Sequence, residues 1–186
     1  MGGKITLPNG DKYKGNLVNK KKEGQGTYYY KNGSKYEGNF SNDLMEGKGT
    51  YTFKSGDKYI GEFKKDKMDG KGTYIYKNGN KYVGDFKDDK MTGKGVLTCK
   101  NGDKYEGDFV NGKMDGEGVL NYADGHKYEG HFKNGKKMDM EQKLVWMDSV
   151  MKENGEMIKN LIKKNLFKII HLFVYNFFNA YIFFGI

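Results

Sequence analysis

Few side chains in this sequence could do catalytic or ligand chemistry, and they are scattered. Three histidines (His126, His131 and His171) and one cysteine (Cys99) supply every imidazole and thiol in the 186 residues. A metal site needs such ligands clustered at short intervals. Here His126 and His131 flank a single strand motif, and His171 lies in an apolar tail. Cys99 takes the place that Phe53 and Tyr76 hold in the pattern described below, so it reads as a core filler. The Gly-x-Gly pairs, such as Gly47/Gly49, lack a third glycine and a following Gly-Lys-Ser/Thr, and they open strands rather than helices. Asp66/Asp69 and Asp88/Asp89 lack calcium-loop spacing. The reading is that of a non-enzyme without metal or cofactor.

Charge offers a different chemistry. There are 33 basic against 24 acidic residues, a net +9, and every basic residue is lysine. The absence of arginine argues against nucleic acid, because bidentate reading of guanine and phosphate is arginine's speciality. The sequence leans on Lys, Asn, Ile, Phe and Tyr, all with AT-rich codons, so lysine content alone says little. Placement says more: Lys12, Lys35, Lys58, Lys81, Lys104 and Lys127 form a ladder, each directly before a repeated tyrosine. Two readings stand. The ladder provides solubility and cross-strand pairing with Glu37, Glu106 or Glu129, or it is a strip for anionic phospholipid headgroups, worth about 1 kcal/mol per lysine near the surface. The N-terminus also spells Met-Gly-x-x-x-Thr, which makes Gly2 a candidate myristoylation site.

The tyrosines expose the organisation. Tyr13, Tyr36, Tyr59, Tyr82, Tyr105 and Tyr128 recur every 23 residues without slippage. Each is followed by Gly two residues on, and then by Leu17, Phe40, Phe63, Phe86, Phe109 or Phe132. Tyr36, Gly38 and Phe40 alternate with polar residues, as do Gly49, Tyr51 and Phe53, which is the two-residue period of a half-buried strand. Asn9-Gly10, Asn32-Gly33, Ser55-Gly56, Asn78-Gly79, Asn101-Gly102 and Asp124-Gly125 separate successive units and predict tight turns with positive φ. Each unit is therefore a β-hairpin. The expected fold is all-β: an elongated, twisted single sheet of about six hairpins, extending roughly 55–60 Å. Rings from neighbouring strands would fill the holes left by glycine. The predicted core, or an open groove along it, comprises Tyr36, Phe40, Tyr51, Tyr59, Phe63, Tyr74, Tyr82, Phe86, Tyr105 and Phe109. Such an apolar groove could take an amphipathic helix from a partner.

Tyr-x-Gly-x-Phe followed by a Gly-x-Gly strand every 23 residues resembles the MORN (membrane occupation and recognition nexus) repeat. YEGNF, YIGEF, YVGDF, YEGDF and YEGHF match that motif closely, YKGNL less so. The resemblance covers residues 1–139. It implies a non-enzymatic adaptor that binds a protein partner near a membrane or cytoskeletal structure, often as a homo-oligomer. It also implies an alternative, a phospholipid-binding or regulatory module like the MORN region of phosphatidylinositol-phosphate kinases, here without a catalytic domain.

The ends differ. Ile5 and Leu7 are in phase with the repeat and predict a strand at the sheet edge. The sixth unit has Asp139 and Glu141 where its glycine pair is due, so the sheet should stop there. Residues 140–186 form a second segment. Amphipathic helical spacing is predicted over 141–152 and 156–168, and residues 169–186 carry no formal charge. That length barely reaches a membrane span. The tail is read as an anchor, a capping or dimerising helix, or a weakly selected extension. With no apolar run at the N-terminus and one cysteine, the expected compartment is the cytoplasm, peripheral to a membrane or the cytoskeleton.

Overall fold

The computed structural model describes residues 4–139, 142, 144–147, 149 and 150. Gly2 and the expectations for 156–186 lie outside them. The chain divides into one unit ending at Lys137 and a second starting at Met138.

The first unit is one antiparallel sheet whose thirteen strands follow chain order. The strands are β1 (Lys4–Thr6), β2 (Lys12–Val18), β3 (Lys21–Tyr29), β4 (Lys35–Ser41), β5 (Leu44–Thr52), β6 (Lys58–Lys64) and β7 (Lys67–Ile75). They continue with β8 (Lys81–Lys87), β9 (Lys90–Thr98), β10 (Lys104–Val110), β11 (Lys113–Asn121), β12 (Lys127–Lys133) and β13 (Lys136–Lys137). The sheet thus begins on the strand containing Ile5 and ends just before Asp139. In the second unit the described residues between 142 and 150 are helical, and the Asp139 carboxylate accepts the Gln142 N–H at 2.7 Å, a side-chain cap for the first turn.

The turns correct the sequence reading. At the six turn sites read from the sequence only the glycine has positive φ, as at Gly33 (φ 94°). Gly33 N–H donates to Tyr30 C=O and Tyr30 N–H to Ser34 C=O. That is a three-residue loop whose glycine forms the bulge. Asn32 instead supplies an acceptor, its Oδ1 taking the Ser34 N–H at 2.8 Å. The two-residue turns with paired positive φ sit at the opposite rim, for example Asn42 (48°) with Asp43 (73°) and Asp88 (46°) with Asp89 (67°). Short polar side chains tolerate that conformation best.

Both rims are tied unit to unit. On the three-residue-loop rim, Asp11, Ser34, Asp57, Asn80 and Asp103 accept the backbone N–H of Lys31, Lys54, Lys77, Lys100 and Ala123. On the two-residue-turn rim, Asp66 N–H donates to Met45 C=O while the Asp66 carboxylate accepts Met45 N–H, and Asp89 repeats this with Met68.

The core is a ladder of rings lying on one face of the sheet. Tyr13, Tyr36, Tyr59, Tyr82 and Tyr105 are at most 1% exposed. The ring of Tyr36 covers Gly38 on its own strand and Gly49 on the next: a Cβ at Gly38 or Gly49 would come within 2.7 or 2.6 Å of Tyr36 Cζ. The holes are therefore filled first from the same strand, and the neighbouring-strand filling expected from sequence is half of the arrangement. The register shifts between Gly38 and Phe40, and inside that shift the Tyr36 hydroxyl donates to Asn39 C=O at 2.9 Å. Each Phe then stands edge-on between two tyrosines. Phe63 lies 4.9 Å from Tyr36 and 5.1 Å from Tyr59, interplanar angles 79° and 85°. Edge-to-face contact is the favoured geometry for such pairs.

Candidate binding faces of the array

Burial decides which predicted residues could meet a ligand. Tyr36, Phe40, Tyr59, Phe63, Tyr82, Phe86, Tyr105 and Phe109 are all buried. They form the core, and no groove opens along them. Tyr51 and Tyr74 are half-buried, in a second row beside the first.

Burial also holds the core phenols neutral. Desolvation is the leading cause at Tyr82 and Tyr105, each pushed up to about 12, and it raises Tyr59 further still. A phenol whose pKa is raised by folding gives stability that is complete below its unfolded value near 10 and is lost as pH climbs past it. The array should therefore unfold cooperatively between about pH 10 and 12. Ultraviolet tyrosine titration should show ionisation coinciding with loss of the sheet signal. Stepwise ionisation near pH 10 with the sheet intact would contradict the packing.

The concave ground is on the opposite face. One depression, of about 750 Å³, is lined by Val83, Val96, Val119, Glu106, Glu129 and neighbours on β8–β12. A second, of about 480 Å³, is lined by Thr50, Ile60, Glu37, Lys48 and neighbours on β3–β7. The register places Thr50, Ile60, Thr73, Val83 and Val96 side by side on consecutive strands. Ile60 and Val83 are 45% and 43% exposed. Sequence reasoning passed over this stripe because its β-branched residues sit at positions held by Glu37, Glu106 and Glu129 in other units. The 23-residue offset of Ile60 and Val83 was the available signal.

Charge flanks the stripe on both sides. On one side Lys35, Lys104 and Lys127 pair with Glu37, Glu106 and Glu129 at 2.7, 3.3 and 2.7 Å. These partners lie two residues along the same strand, not across it as expected. After Lys12, Lys58 and Lys81 the corresponding position holds Lys14, Ile60 and Val83. On the other side cross-strand ion pairs run Lys71–Asp85 (2.5 Å) and Lys94–Asp108 (2.7 Å), and the next such position brings Glu117 against the His131 imidazole.

The remaining reactive groups do not converge. Among the described residues no cluster of His, Cys, Asp or Glu could hold a metal ion. Burial pushes the Cys99 thiol up, away from the thiolate a nucleophile needs. Among the described residues no helix is long and apolar enough to cross a membrane.

Comparison with known proteins fits this architecture. The MORN repeat family model matches residues 13–35, 36–58, 59–81, 82–104, 105–127 and 128–138. No curated protein matches the chain. Among solved structures the chain is similar to the wild-type TCP10 domain of Danio rerio CPAP in complex with a peptide of Danio rerio STIL. Identity there is 16%, over 69% of this chain and 53% of that one, at a TM-score of 0.38. It is also similar to the G-box domain of the microcephaly protein CPAP, with 14% identity over 70% and 80% of the two chains at a TM-score of 0.39. A third likeness is to the SAS-4 TCP domain of Drosophila melanogaster in complex with a proline-rich motif of Ana2, with 17% identity over 71% and 90% at a TM-score of 0.26. The chain spans about half the length of the first of these. At such scores they assign nothing to this molecule. The family model matches six consecutive units across most of the sheet, and the chain belongs to the MORN repeat family as a repeat scaffold.

Proposed function

We propose that this protein is a non-enzymatic adaptor that holds an amphipathic segment of a protein partner along the Ile60–Val83–Val96 stripe and tethers it near a membrane or cytoskeletal structure. The observation that carries the reading is the exposure of Ile60 and Val83 inside concave ground flanked by charge. Apolar exposure rimmed by charge is the signature of an interaction surface.

A second reading has its own support. Lys12, Lys58 and Lys81 have no acidic residue two positions on, which leaves them available to anionic phospholipid headgroups. The two readings share one experiment on the full chain. A photo-crosslinking residue at Val83 should give a discrete protein adduct in cells, and the same residue at the exposed rim position Val110 should not. Ile60→Asp should abolish the Val83 adduct with little change in melting temperature. Vesicles of phosphatidylcholine with phosphatidylserine should sediment the chain in a salt-sensitive manner, weakened by Lys58→Glu with Lys81→Glu. No adduct at Val83 would defeat the adaptor reading, and sedimentation unaltered by charge reversal would defeat the lipid one.

A further inference from the structure

The aromatic face carries another surface, independent of the β-branched stripe. Beside the buried ladder runs a second row: Tyr28, Tyr30, Tyr51, Phe53, Tyr74 and Tyr76. Its ring centroids are spaced alternately 4.6 and 5.5–5.6 Å apart. All but Tyr28 are half-buried. The row stops after Tyr76, where Leu97 and Cys99 take over. We propose that this row is a docking ladder for an acidic, proline-rich segment of a partner protein in the polyproline II conformation.

The first argument is a match of periods. Ring pairs recur every second strand, about 9.6 Å apart. Three residues of polyproline II advance about 9.3 Å and return to the same face. Every third residue can therefore settle between successive ring pairs with little accumulated drift. An extended strand covers the distance in three residues too, but its side chains alternate, so successive contacts would fall on opposite faces. An α-helix rises about 1.5 Å per residue, and seven residues overshoot each step by roughly 1 Å.

The second argument is the supply of donors. Polyproline II has no internal hydrogen bonds, so its carbonyls are open acceptors. The Tyr76 hydroxyl lies 4.0 Å from Met91 Sδ and that of Tyr30 3.9 Å from Met45 Sδ, and thioether sulfur is a weak acceptor. Burial raises both phenols, which keeps them as donors.

Charge selects the peptide. Lys31, Lys54, Lys77 and Lys100 follow the row along its rim, the first three directly after Tyr30, Phe53 and Tyr76. Each lies over the glycine of the preceding loop. Asp11 and Asp57 accompany Lys31 and Lys77, while Ser34 and Asn80 stand in that place beside Lys54 and Lys100. Four lysines against Asp11, Asp57 and Asp103 leave the rim one charge to the basic side. Carboxylates between the prolines complement it.

The test uses the full chain and a fluorescent 15-residue peptide of five Pro-Pro-Glu triplets. Saturable binding is expected below about 1 mM. Peptides of five Gly-Gly-Glu or five Pro-Pro-Lys triplets should bind at least about tenfold more weakly. Tyr51→Leu with Tyr74→Leu copies what Leu97 and Leu120 already do in later units, and should weaken the acidic proline peptide about tenfold. Should that variant melt early, Tyr76→Phe, which removes only the hydroxyl, should weaken binding about threefold. Absence of saturable binding overturns the proposal. So does equal binding of either control peptide, or a folded leucine variant or a Tyr76→Phe variant of undiminished affinity. Ile60→Asp should leave this binding intact, so failure here and failure of the adaptor reading are separable.

Discussion

Gly72→Ala is expected to lower the stability of the array by about 3 kcal/mol, near the upper end for overpacking. The added methyl would come within 2.6 Å of Tyr59 Cζ, in a ring that has no exposed surface. That ring cannot swing aside, because Phe63 and Phe86 stand edge-on to it at 5.1 and 4.8 Å. Gly24→Ala is the instructive comparison. Nothing lies within 4 Å of its added carbon, but its φ is +68°. It should lose only the backbone strain of a left-handed residue, about 1 kcal/mol. Urea unfolding of both variants measures the difference. Equal losses would mean that the Gly-x-Gly pairs serve backbone conformation and not ring seating.

Removing the ring gives the complementary result. Tyr59→Ala should cost about 4 kcal/mol, as for other large-to-small changes in a core. Tyr59→Phe keeps the ring and loses the hydroxyl bond to Glu62 C=O (2.9 Å), so about 1 kcal/mol is expected. The two sites share one space. In the double variant Tyr59→Ala with Gly72→Ala the new methyl no longer meets the ring, and the combined loss should fall short of the sum by about 2 kcal/mol. A strictly additive double variant would separate the glycine from the ring and remove the basis of the packing account. Because each unit touches only its neighbours, the damage should appear as a break in the middle of the array, with protection from hydrogen exchange falling first around β6 and β7.

Much of this architecture is legible in the residues alone. A fixed interval from Tyr13 to Tyr128 and glycine two places after each tyrosine dictate strands, hairpins and a single sheet. Less legible is where the rings go. A period of two assigns Tyr36 and Gly38 to one face, but not that the phenol lies down along its own strand to reach Asn39 C=O. That depends on a register shift for which no residue type is diagnostic. The turn chemistry misleads for a related reason: Asn32-Gly33 spells a two-residue turn, yet Asn32 serves as an acceptor while only the glycine turns left-handed. Asn42-Asp43 and Asp88-Asp89 carry the paired positive φ without any glycine to announce it. Concavity was the hardest to see. The depressions at Ile60 and Val83 span several strands at once, which the period of a single strand does not encode.

The rim clasps carry a consequence for how such a molecule can change size. Asp11 reaches Lys31 and Asp57 reaches Lys77 by the same offset of 20 residues, and each clasp joins only adjacent hairpins. A cut at any point in one unit and a splice at the equivalent point in another would rejoin acceptor to donor, tyrosine to phenylalanine and loop to loop. The length of the array is thereby decoupled from the chemistry of assembly. The gene can lengthen or shorten this ruler by whole 23-residue divisions without redesigning any joint.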